Sequence, residues 1–188
     1  MSQPRQRFSP FARLLHWLMA ALILAMLFIG IGMIASLSDY HWLLSIHRSL
    51  GIIILVLAVA RLFYRLFHPA PSLPAGMPGW QRILARASHV VLYALMIALP
   101  LVGWAMLSAA REPVVLYGSL YLPPITPQDA ALYGGLRETH TVLAFLLFAT
   151  FLAHLGAALL HAMVFRDGVF QTMAPGQWRR RDDAATLG

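Results

Sequence analysis

The chain contains no cysteine and no lysine. Without cysteine there are no disulfides, no thiolate zinc sites, no cysteine-ligated iron–sulfur clusters and no CxxCH attachment of a porphyrin. The absence fits either side of a bacterial inner membrane. Charge is also scarce. Only 11% of the 188 residues are charged and 60% are hydrophobic, whereas soluble domains carry roughly 25% charged residues. The mean hydropathy is +0.70. A soluble domain is therefore excluded, and the length suits a single bundle of about four spanning helices. The formal charge of +7 comes from fourteen arginines set against seven acidic residues.

What is present falls into four apolar runs, each near the ~20 residues that cross a bilayer. They extend from about Arg13 to Ser36, Leu43 to Phe67, Ser88 to Ala109 and Thr139 to Phe165. Backbone groups in lipid must be satisfied internally, so all four are expected to be helices. The first run is too long for a signal-peptide core and holds His16 beside Trp17, so it reads as a retained span. The first connection, around Ser38 to His41, is a tight hairpin. The second, His68 to Ala87, opens with four prolines, and Trp80 to Arg86 reads as a short amphipathic helix at the interface. The third, Ala110 to Glu138, mixes four prolines with Tyr117, Tyr121 and Tyr133 and is expected to cap one end of the bundle. Pro100 is expected to kink the third helix.

Arginine placement sets the orientation. With both termini on one side, that side holds Arg5, Arg7, Arg13, Arg61, Arg65, Arg82, Arg86, Arg166, Arg179, Arg180 and Arg181. The other holds Arg48, Arg111 and Arg137. The ratio of eleven to three predicts that both termini and the proline-rich middle loop are cytoplasmic. The arginines flank membrane spans, so lipid and not nucleic acid is the expected partner.

The histidines carry the chemistry. Ionisable residues inside a membrane are costly and mark function by default. His140 and His154 are fourteen residues apart on one helix, about 21 Å of rise and nearly the same face. His16 opens the first helix on the cytoplasmic side, level with His154. His47 opens the second helix on the outer side, level with His140, which opens the fourth. Two matched pairs of neutral imidazoles suit axial ligation of two haems, each six-coordinate and low-spin. One interfacial histidine taken alone is more often a polar anchor; the matched depths carry the reading. His161, one layer nearer the cytoplasm than His154, is its rival as ligand. His89 opens the third helix without an assignable partner, and either His89 or His161 suits a quinone or proton site. His41 and His68 read as solvated or interfacial. Gly51, one turn after His47, would let a flat macrocycle approach, or serve close helix packing. Arg48 and Arg137 flank the outer ligands as candidate propionate partners, or as surface charge.

Several segments then resemble one family. Ser45-Ile46-His47-Arg48-Ser49-Leu50-Gly51, Leu15-His16-Trp17 and the His140/His154 spacing are similar to the bacterial cytochrome b561 family. So are His89-Val90-Val91-Leu92-Tyr93, Ala98-Leu99-Pro100-Leu101-Val102-Gly103 and the exit Val164-Phe165-Arg166-Asp167. The resemblance covers nearly the whole chain in order. It implies an all-α, four-helix inner-membrane protein with two non-covalent b haems, ligated by His16, His47, His140 and His154. Relatives in the family include a superoxide oxidase that reduces ubiquinone, and cytochrome partners of dehydrogenases or hydrogenases.

Three functions compete. The first is transmembrane electron transfer from a periplasmic donor, superoxide or a protein, to membrane quinone. The second is a non-catalytic cytochrome subunit that docks a partner enzyme through its long outer loop. The third is a transporter using histidines for metal ions or protons. The near-uniform apolarity of the deep positions, His154 apart, argues against the third.

Overall fold

The computed structural model describes residues 7–74, 76–116 and 120–174. Tyr117 and the arginines at positions 5, 179, 180 and 181 fall outside them. Four helices are long and apolar enough to cross a membrane: α1 (Pro10–Ala35), α2 (Tyr40–Phe67), α3 (Gly79–Ala109) and α4 (Ala130–Leu160). The chain is an all-α membrane bundle, as its hydropathy requires.

Each start has a local cause. Ser9 caps α1, its Oγ accepting from the Ala12 amide at 3.2 Å, with Pro10 in the first turn where a missing N–H costs nothing. Asp129 caps α4 by accepting from the Leu132 amide at 2.8 Å. Pro78 precedes α3, and the segment expected as a separate interfacial helix, Trp80 to Arg86, is its first part. No breaker separates that segment from Ser88, so the helix simply continues. α4 likewise begins nine residues before the expected Thr139, at Ala130. His140 therefore does not open the helix but lies about 15 Å along it. His41, expected in a loop, sits in the first turn of α2. Pro100 is accommodated inside a continuous α3. After α4 the chain makes one π turn, His161–Phe165.

The third connection is more ordered than a plain cap. It carries an antiparallel hairpin, β1 (Val114–Leu116) with β2 (Leu120–Leu122), in which Val115 faces Tyr121. Side chains of α3 hold the segment that follows β2. Trp104 Nε1 donates to the Pro123 carbonyl at 2.9 Å, and the buried Ser108 Oγ accepts from the Ile125 amide at 3.2 Å. Thr126 Oγ1 donates back to the Ala105 carbonyl at 2.9 Å.

The two ends of the bundle differ. The end where α1 starts and α4 finishes carries Arg7, Arg13, Arg61, Arg65, Arg82 and Arg86, and is called the basic end below. The hairpin end carries Arg48, Arg111 and Arg137. At the basic end the chain beyond α4 returns to α1. Arg7 and Arg13 donate to the Ala174 carbonyl at 3.0 and 3.1 Å, and Trp17 Nε1 donates to the Met173 carbonyl at 2.9 Å.

The core is a layer built around Met19, Ile23, Ile54, Leu95, Leu99 and Leu147. Close helix approaches run α1–α2, α2–α3 and α3–α4. Among the described residues α4 has no comparably close backbone approach to α1 or α2. It meets them through Leu147 in that layer and through histidine rings.

Candidate haem sites

The histidines expected to pair are brought together. The ring centres of His16 on α1 and His154 on α4 lie 6.4 Å apart, inclined at 73°. Those of His47 on α2 and His140 on α4 lie 6.1 Å apart, inclined at 64°. All four residues are half-buried. Leu147, seven residues from each, puts the buried apolar layer between the two pairs. One pair therefore lies towards the basic end and one towards the hairpin end.

The spacing can be set against iron chemistry. A metal–imidazole nitrogen bond of about 2.0 Å, with the ring centre about 1.1 Å beyond the nitrogen, puts two trans imidazole centres about 6.2 Å apart. Both pairs match that separation. His89, which the sequence left without a partner, stands with its ring centre 5.3 Å from His154. That is about 1 Å shorter than the spacing within either pair, and His89 borders the His16/His154 pair. His161, the sequence rival of His154, is engaged elsewhere: its Nδ1 lies 2.7 Å from Asp167 Oδ2. Among the described residues no cluster of three or more histidines and carboxylates has the form of a metal-ion site. Pairs are the unit here.

Two further observations fit a haem at the hairpin-end pair. The Nδ1 atoms of His47 and His140 are both buried without a hydrogen-bond partner. The Leu99 backbone lies beside the His140 ring, but its carbonyl does not reach hydrogen-bond geometry with Nδ1. A ligating histidine ordinarily donates its second ring N–H to such a carbonyl, which fixes the ring and its tautomer. Gly103 of α3 then supplies space: a β-carbon there would lie 3.3 Å from His140 Cε1 and 3.6 Å from its Nδ1. The sequence offered Gly103 only within a family-like segment. Its contact with His140 joins two helices and leaves no local signal.

The supporting residues take distinct places. Gly51 faces α1 and α3, where an added β-carbon would meet Met26 Cε at 3.9 Å and Pro100 Cβ at 4.0 Å, ordinary packing distances. Arg48 reaches Glu112 after α3 at 3.3 Å, with its own Nε buried and unpartnered. Arg137 is exposed on α4. Tyr64 stacks on His68 at 4.0 Å, so His68 is a ring contact near the membrane boundary.

A four-helix membrane bundle with one pair of facing imidazoles at each end is the architecture of a membrane cytochrome b. The family model described as prokaryotic cytochrome b561 matches residues 7–176, and the chain belongs to that family. It is 33% identical over 162 residues to the "Probable superoxide oxidase CybB" of Yersinia pestis, covering 86% of this chain and 92% of that protein. It is 28% identical over 172 residues to "Cytochrome b561 homolog 2" of Escherichia coli K12, covering 89% and 91%. It is 30% identical over 180 residues to "Cytochrome b561 homolog 1" of the same organism, covering 90% and 97%. Membership establishes a membrane electron-transfer protein that uses b-type haem.

Proposed function

We propose that the protein moves electrons across a bacterial inner membrane through two b haems, one held by His47 and His140 and the other by His16 and His154. Electrons enter at the hairpin end and leave to quinone at the basic end. The single observation that carries this reading is the repetition of one ring spacing, 6.1 and 6.4 Å, at the two ends of the bundle. The arginine asymmetry supports a cytoplasmic basic end.

A haem with two imidazole ligands supplies a one-electron couple whose geometry changes little between oxidation states. The chain does the rest. His140 and His154 share α4, so one rigid element sets the distance between the sites. The layer of Met19, Ile54, Leu95 and Leu147 keeps water from the space between them. Superoxide is the donor favoured by the likeness to the Yersinia pestis protein. Two superoxide anions each lose one electron to become dioxygen, and quinone takes two electrons and two protons to become quinol. The protons need a carrier at the basic end. His161 and Asp167, joined at 2.7 Å beside the π turn, form one: both are half-buried, and Asp167 Oδ1 is fixed by the Val169 amide at 3.0 Å.

The test is stopped-flow mixing of the purified holoprotein with superoxide, with and without ubiquinone. The expected result is haem reduction in the dead time range of diffusion, followed by reoxidation only when quinone is present. A reducible b-type spectrum with no response to superoxide overturns the donor assignment. A second reading, a cytochrome subunit for a dehydrogenase or hydrogenase, rests on the hairpin, where Leu120 and Tyr121 are exposed and available to a docking protein. Turnover by the isolated chain removes that reading.

A further inference from the structure

Arg61 lies about two turns before the end of α2, inside the span and level with His16. Its Nη1 is 3.0 Å from His16 Nδ1, and its guanidinium carbon is 6.0 Å from the Tyr93 ring centre. An arginine within a membrane helix is costly and is kept where an anion answers it. The chain's own acids do not supply that anion among the described residues. Asp39, Glu112, Asp129 and Glu138 all sit at the hairpin end. Asp167, the described acid at the basic end, is bonded to His161 and to the Val169 amide. The two described ion pairs, Arg48–Glu112 and His161–Asp167, both exclude Arg61.

The contact with His16 sharpens the point. A guanidinium only donates, so this hydrogen bond needs a lone pair on Nδ1. A neutral imidazole bound to iron through Nε2 carries its proton on Nδ1. It cannot also accept from Arg61. Ligation by His16 would therefore release the guanidinium to another acceptor; Tyr93 stands beside it without a formal charge, and a haem propionate would supply the missing anion. Arg65 is otherwise engaged, 5.1 Å over the Phe8 ring.

We propose that Arg61 binds a propionate of the haem held between His16 and His154, and so anchors that haem and raises its potential. This rests on the ligand assignment above. The positive charge near the iron favours the reduced state, and the planar fork of arginine suits a carboxylate.

The test uses purified holoprotein carrying Arg61→Gln, Arg61→Lys or His16→Ala. Redox titration of the α band and resonance Raman of the propionate bending mode are the readouts. His16→Ala identifies its haem by the spectral component it removes. Arg61→Gln is expected to lower the midpoint of that component alone, shift its propionate band and speed haem loss to apomyoglobin. Arg61→Lys is expected to restore most of the potential and part of the retention. An unchanged propionate band overturns the proposal. So does a raised midpoint, which would mean that Arg61 instead neutralises an imidazolate form of His16. If Arg61→Gln moves the other component, the anchor is wrong while the ligands stand. If His16→Ala removes neither haem, the ligand assignment itself fails.

Discussion

Gly103 on α3 lies flat against His140 on α4, with room for a hydrogen where a methyl would stand 3.3 Å from the imidazole. That distance forces the ring to give by a few tenths of an ångström. Overpacking of this kind costs typically about 1–3 kcal/mol. Gly103→Ala is expected to shift the potential and reduce the occupancy of one haem and leave the other unchanged. Gly134→Ala, on α4 in open space, is the control. Haem-to-protein ratio and redox titration read both.

The pairing predicts which histidines matter and in what combination. His47→Ala and His154→Ala are each expected to halve the haem content, and the double variant to abolish it. His89→Ala is expected to keep both haems, because its 5.3 Å approach to His154 is about 1 Å shorter than the spacing within either pair. Pyridine haemochrome assay against protein concentration decides this.

The ion pair at the hairpin end gives a prediction of sign. Arg48 follows His47 directly and is held by Glu112 at 3.3 Å. A partly exposed pair of this kind is worth about 0–1 kcal/mol, so neither partner should matter much to thermal stability. Their effects on an incoming anion should be opposite. Arg48→Gln is expected to slow reduction by superoxide, and Glu112→Gln to speed it, each by a few-fold at low salt and less at high salt. Rates that move together would exclude steering.

The dyad beside the π turn separates proton from electron transfer. His161→Gln is expected to leave both haem spectra intact and to keep reduction by the donor fast. It should slow reoxidation by quinone about 10²-fold, the usual contribution of a positioned proton carrier. Asp167→Asn should act in the same direction. Loss of a haem on His161→Gln would instead return His161 to the role of ligand.

Much of this arrangement was legible in the sequence because it is one-dimensional. Hydropathy gave four spans, and a fourteen-residue interval on α4 gave two pairs of facing imidazoles at two depths. What was missed lies in polar helix ends and in contacts between helices. Gly79–Ala87 and Ala130–Glu138 carry too much polarity to read as membrane span, yet nothing in them stops a helix that has begun. The hairpin was hidden among prolines, although Pro113 and Pro123 bracket its two strands. His89 had no visible partner because the rotation of α3 about its axis is not written in α3 alone. Arg61 read as topology, since its position over His16 depends on how α1 and α2 cross.

The apolar layer between the histidine pairs has an electrical consequence. Among the described residues, Met19, Ile54, Leu95 and Leu147 offer a proton no hydrogen-bonding group in the layer between the pairs. Each passage by the proposed route would then move net charge along the bundle axis. An inside-negative voltage opposes inward movement, by about 2.3 kcal/mol for a full crossing at 100 mV. The protein would thus run slowest in a well-energised cell and fastest when that voltage collapses.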